Sequence, residues 1–140
     1  DEKWIHYEYV NHYVNIEPTK DELISLIQNI KKKTRKKILI TTGKIIPKIL
    51  NELIPEINKL DIKIFKDINF IKLEEITSNA NILIACHGAI SHVAAAYNIK
   101  QIDIIDRSYN YTRWTKHFRN YNYLYRNNFI SLKNEISKLL

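Results

Sequence analysis

The chain has 140 residues, 45% of them hydrophobic, and a formal net charge of +7. That length suits a single domain able to fill one core, with no run of about 18 apolar residues to span a bilayer and no signal-peptide pattern. One cysteine, Cys86, excludes an internal disulfide and fits a reducing, cytoplasmic setting.

In chain order, residues 1–18 are aromatic and irregular, with Trp4, His6, Tyr7, Tyr9, His12 and Tyr13. They read as a lead-in segment before a core at 19–106. The chain starts at Asp1 without methionine, which suggests a piece of a longer product. Thr19 and Glu22 have the spacing of a capping box, and Leu23, Ile24, Ile27 and Ile30 then recur at helical spacing to about Lys33. Ile38-Leu39-Ile40 is a short apolar run, read as a buried strand over Ile38–Thr41 that empties into Thr42-Gly43-Lys44. A helix is expected from about Ile45 to Lys59, with Pro47 in its first turn and Pro55 kinking or splitting it. Asp61–Phe65 reads as the next strand and Leu73–Ser78 as a short helix.

The most informative stretch is Asn81 to Asp106. A strand at Asn81–Ala85 leads through Cys86-His87-Gly88 into the small-residue helix that holds Ile90, Ser91, His92 and Ala94 to Ala96, and Gln101–Ile105 is a further strand. Strands alternating with helices predict an α/β fold, a Rossmann-like parallel sheet flanked by helices, with all four strands adjacent. A helix that opens at the carboxyl end of a strand offers unpaired N–H groups and the positive end of its dipole, which suits phosphate. Two of the five histidines flank this turn.

Other features read more plainly. Lys31-Lys32-Lys33 and Arg35-Lys36-Lys37 fall where a helix ends, so a solvated cationic face explains them. Attraction to an anionic membrane surface or to nucleic acid is the alternative, and nucleic acid is the weaker of the two. Cys86 reads as a small buried residue, and Thr41-Thr42-Gly43-Lys44 lacks the glycine spacing of a Walker loop. It retains backbone N–H groups and the Lys44 ammonium for a diphosphate. His87 reads equally as a ligand group or as polar edge, and His92 as a ligand group or a surface histidine at a helix start. Residues 107–140 comprise an aromatic-basic segment from Arg107 to Arg126, including Tyr109, Tyr111, Trp114 and Tyr123, read as an irregular connection, and a helix from about Ser131 to Leu140.

The run His87-Gly88-Ala89-Ile90-Ser91-His92-Val93-Ala94-Ala95-Ala96 resembles the phosphate-binding motif of the heptosyltransferase-like glycosyltransferases of family 9. That motif is Asp-Ser/Thr-Gly, two variable residues, His, an aliphatic residue and an Ala-rich helix. In register, His92 takes the place of the family histidine, and His87 falls where the family has its acidic residue. Asp1-Glu2-Lys3-Trp4, the helix after Pro18 and Ile38 to Gly43 also look like the start of that family's C-terminal domain.

The resemblance implies one half of a GT-B fold that binds a nucleoside-diphosphate sugar, in an enzyme moving the sugar to a glycan or lipid-linked acceptor. His87, Gly88, Ala89, Ile90, Ser91, His92, Thr42, Gly43 and Lys44 would hold the diphosphate without a metal or other cofactor. The catalytic base would come from an N-terminal domain absent from this chain, whose docking face would be left partly apolar. Such a domain would be inactive alone and would sit in the cytoplasm, with peripheral attachment to the inner membrane an extension of its positive charge. Two other readings stay open: a non-catalytic nucleotide-binding module, and a nucleotide-sugar epimerase of the same architecture. The epimerase would need cleft carboxylates, for which Asp67, Glu74 and Glu75 are the candidates.

Overall fold

The computed structural model describes residues 18–107 and 110–140. The aromatic lead-in, with Trp4, and Tyr109 lie outside the described residues. The chain forms two compact units, one of residues up to Ile68 together with Asn128–Leu140, the other Asn69–Asn127.

The first unit opens with α1 (Lys20–Thr34). Its capping box is formed: the Thr19 hydroxyl accepts from the Glu22 N–H at 3.3 Å, and a Glu22 carboxylate oxygen accepts from the Thr19 N–H at 2.8 Å. Thr19→Ala should therefore cost about 1 kcal/mol, read by urea denaturation, and a change below about 0.3 kcal/mol would show the cap to be frayed in solution. Lys31, Lys32 and Lys33 occupy the last turn of α1, where the dipole favours cations. Lys31 and Lys33 donate to the carbonyls of Leu60 and Ser137, so those two cations satisfy backbone acceptors.

Next come β1 (Leu39–Thr42), α2 (Lys48–Glu52), α3 (Ile54–Lys59) and β2 (Lys63–Lys66), with β1 and β2 paired in parallel from Leu39↔Lys63 to Thr42↔Lys66. The helix expected over Ile45–Lys59 is split near Pro55, as expected, and begins at Lys48. Pro55 sits in the first turn of α3, where its missing N–H costs nothing, and Pro47 precedes α2. The strand expected from Asp61 starts at Lys63, because Asp61 adopts φ 53° in the left-handed region and ends the preceding turn. The core of this unit is Ile27, Leu50, Leu53, Ile57 and Ile62, with Ile57 fully buried. The last helix, α7 (Phe129–Leu139), contacts α1 and buries Leu132 and Ile136.

The second unit contains α4 (Phe70–Ser78), β3 (Ile82–Cys86), α5 (Ala89–Ala96), β4 (Lys100–Ile105), α6 (Thr112–Thr115) and β5 (Tyr121–Tyr125). Its sheet is parallel throughout, in the order β3-β4-β5. The protein is thus α/β, with two small parallel sheets flanked by helices. This corrects the expectation of four adjacent strands, because the ladders join β1 to β2 and β3 to β4. An apolar run reports that a strand is buried and carries no record of its neighbour. The fifth strand lies in the aromatic-basic segment read as irregular, where Tyr121, Tyr123 and Tyr125 alternate on an edge strand.

Ile45, Phe70, Ile71 and Ile130 are large apolar residues left exposed. No helix among the described residues is long and apolar enough to cross a membrane.

Candidate functional site

The second unit's parallel sheet delivers all its carboxyl ends to one edge, where loops of α/β proteins carry their sites. At that edge β3 passes into His87 and Gly88, and α5 begins. The His87 N–H continues the ladder by donating to the Ile104 carbonyl at 3.2 Å, which pins this residue to the sheet.

Strand alternation then decides where the side chains go. Register pairs Gln101 with Tyr121, Asp103 with Ala85 and Tyr123, and Ile105 with Tyr125, so these residues share one face of the sheet. His87, two residues beyond Ala85, joins that face, and its Nδ1 lies 2.7 Å from Oδ2 of Asp103. The Asp103 side chain is fully buried and that of His87 only 9% exposed. Oδ1 of Asp103 and both amide atoms of Gln101 are buried with no hydrogen-bond partner among the described residues. Two polar side chains in the middle of a core strand, one of them half-satisfied, mark a place where the fold bears a cost for chemistry.

Aromatic rings wall this pair. The His87 ring is edge-on to Tyr111 at 4.9 Å and to His92 at 5.6 Å. His92 in turn meets Phe118 at 5.1 Å and His117 at 6.2 Å. Burial pushes the Tyr121 hydroxyl well above its ordinary pKa, and the Asp103 charge adds to that. Beside the cluster, an open cleft of about 340 Å³ is lined by Arg107, Tyr111, Thr115, Tyr121, Tyr123 and Tyr125 among others. The Arg107 guanidinium lies 4.8 Å over the Tyr125 ring.

His92 is exposed on the first turn of α5. Its pKa is lowered from the ordinary 6.5, chiefly by desolvation, then by the neighbouring His87 and His117, while Asp103 opposes the shift. A depressed histidine favours its neutral form in the folded state. Its contribution to stability is complete above the unfolded value of 6.5 and is lost as pH falls through the lower folded one. Wild-type protein should therefore lose stability against His92→Gln on acidification below about pH 6.5, measured as paired urea midpoints. A constant difference across that range would show that the ring titrates normally.

The other expected site residues divide between the units. Gly88 is the N-cap of α5, and its N–H donates to the Ser91 hydroxyl at 3.3 Å. Ser91 is fully buried, so its side chain is spent on closing the turn. Ala89 and Ile90 supply first-turn N–H groups that have no carbonyl four residues back in the helix. Thr42, Gly43 and Lys44 belong to the first unit, in the loop after β1, and the Thr42 hydroxyl donates to the Gly43 carbonyl at 3.2 Å. The helix that follows them has five residues and no side-chain cap. Of the acidic candidates, Glu74 accepts from the Tyr97 hydroxyl at 2.9 Å and Glu75 pairs with Lys72 at 2.9 Å, both on α4. Asp67 follows β2 in the first unit. Cys86 ends β3 half-buried and forms no disulfide.

Among the described residues no group of three or more His, Cys, Asp or Glu side chains is arranged to hold a metal ion. Sequence reading passed over Asp103, His117 and Phe118 as site residues. A signal for Asp103 was present: Gln101 and Asp103 are polar at positions i and i+2 of a run that is otherwise buried. Compared with known proteins, the chain matches no family profile, no curated protein and no solved structure.

Proposed function

We propose that the second unit binds the diphosphate of a nucleoside-diphosphate sugar, as the donor-binding half of a GT-B glycosyltransferase that transfers the sugar to a glycan or lipid-linked acceptor. The observation that carries the reading is Gly88. Its φ is −177°, extended backbone open to any residue, and a Cβ built there meets nothing nearer than the Cys86 carbonyl oxygen at 4.0 Å. The fold therefore does not require glycine at this position. A small residue here leaves the first-turn N–H groups open to an approaching phosphate.

The chemistry follows from the elements around it. The first-turn N–H groups of Ala89 and Ile90, which have no carbonyl four residues back in the helix, and the dipole of an eight-residue helix favour an anion. A neutral His92 on the same turn adds one hydrogen-bond donor. As the sugar–phosphate bond breaks, charge builds on the departing diphosphate, and donors already in place stabilise it without reorganising. The likeness of the His87–Ala96 run to the family 9 motif supports the sugar-nucleotide class over other phosphates.

Gly88→Ala separates the needs of fold and ligand. It should leave unfolding stability within about 1 kcal/mol, since alanine has less freedom to lose but caps a helix less well than glycine. The same change should weaken binding of the sugar nucleotide at least tenfold by calorimetry against ADP-, UDP-, GDP- and CMP-sugars. Unaltered affinity in a folded Gly88→Ala protein would remove the diphosphate from this turn.

A further inference from the structure

The histidine before this turn does not fit the role of a simple anion ligand. Its Nδ1 faces a fully buried carboxylate at 2.7 Å, so any positive charge it gains is balanced at once by Asp103. A buried negative charge behind a phosphate site works against the phosphate. The same arrangement is well suited to moving a proton: a carboxylate on Nδ1–H fixes the tautomer, leaves Nε2 to serve a ligand, and stabilises the imidazolium when it forms. We propose that His87, oriented by Asp103, is the proton acceptor for the acceptor substrate's hydroxyl, and that the adjoining Tyr111–Arg107 cleft holds that substrate. This rests on the diphosphate reading and adds to it a base within this unit, where the family resemblance places the base elsewhere.

The cleft has the chemistry of a saccharide site. Its tyrosines offer flat apolar faces with hydroxyl tips, Thr115 adds a further hydroxyl, and Arg107 adds a cation for an acidic substituent. Its volume of about 340 Å³ falls within the usual range for small-ligand pockets. Tyr111 both lines the cleft and packs edge-on against His87, so a single ring separates the imidazole from the cleft. The groups facing His87 are Asp103 from β4, His92 from α5, Tyr111 before α6 and Phe118 before β5.

In the step, the acceptor O–H gives its proton to Nε2 of His87. The oxygen lone pair forms the new bond to the anomeric carbon, and the electron pair of the sugar–phosphate bond leaves with the diphosphate. Asp103 exchanges no proton in the step and acts as a positioning residue.

The test uses ¹⁵N-histidine NMR and tyrosine ring NMR of the whole chain together with kinetics of the complete enzyme. Neutral His87 should carry its proton on Nδ1, and Asp103→Asn should shift it towards Nε2 by offering an amide donor in place of the carboxylate. His87→Asn keeps a donor to Asp103 near the Nδ1 position and deletes Nε2. It should leave sugar-nucleotide affinity within threefold and lower kcat by about 10²–10⁴-fold, with partial rescue by added imidazole. Glucuronic acid should perturb the Tyr111 and Tyr123 signals, and Arg107→Gln should abolish that shift.

A wild-type Nε2–H tautomer overturns the assignment. So does His87→Asn protein that loses donor affinity at unchanged kcat, which makes His87 a diphosphate ligand. Cleft tyrosines that respond to a free nucleobase and not to saccharide overturn the acceptor site. Wild-type protein that binds no sugar nucleotide, yet shows the Nδ1–H tautomer and the saccharide shifts, fails the diphosphate reading while leaving the cleft standing.

Discussion

His87→Ala should destabilise the second unit by about 1.5–3 kcal/mol, the range for losing a hydrogen bond to a charged group. The geometry behind this is one-sided. Asp103 is fully buried and its Oδ1 has no partner among the described residues, so His87 carries its satisfaction through a single 2.7 Å contact. Alanine leaves that carboxylate in a low-dielectric interior with nothing to offset its lost hydration. His87→Asn, whose amide can still donate from the Nδ1 position, should recover most of the loss. Urea denaturation of the three proteins makes the comparison. A deficit under about 1 kcal/mol in His87→Ala would mean that the pair contributes little and that Asp103 finds solvent on the removal of the ring.

His92→Ala should act on transfer and spare the fold. The ring is exposed on the first turn of α5, so its removal opens no core cavity. The lost donor should cost on the order of 2–4 kcal/mol of transition-state stabilisation, roughly 10²–10³ in kcat, as for a single oxyanion-hole group. Donor KM should change less than kcat, because the diphosphate gains charge only as the sugar bond breaks. Steady-state kinetics of the complete enzyme with the donor varied resolves the two terms. Unchanged kcat/KM in folded His92→Ala protein would reduce the residue to a surface cap.

Local features of the site were legible in sequence, and its chemistry was not. The Gly88 turn could be placed between a strand and a small-residue helix because both signals are local: an apolar run, a glycine, then Ala94 to Ala96. The motif resemblance groups Ser91 with the ligand residues. Its complete burial and its bond from the Gly88 N–H depend on packing that a linear motif does not encode. His117 and Phe118 sit 25 and 26 positions after His92 in the chain, and only the return of residues 106–120 from β4 to β5 sets their rings beside it.

Sequence by itself determined the elements whose causes lie within a few residues. The Thr19–Glu22 capping box, the break at Pro55, the alternation of parallel strands with helices and the glycine-headed turn all follow from short-range hydrogen bonding and periodicity. The tertiary structure alone decided that the strands divide into β1-β2 and β3-β4-β5, and that a tyrosine-rich segment supplies the third strand of the second sheet. It alone decided the pairing of His87 with Asp103, sixteen residues away. The physical reason is one of register. Period-two alternation says which residues share a face of their own strand, while the partner across the ladder is fixed by how the crossover packs. A shift of one residue between β3 and β4 would turn Asp103 away from Ala85 and His87, and no local signal in either strand records that choice.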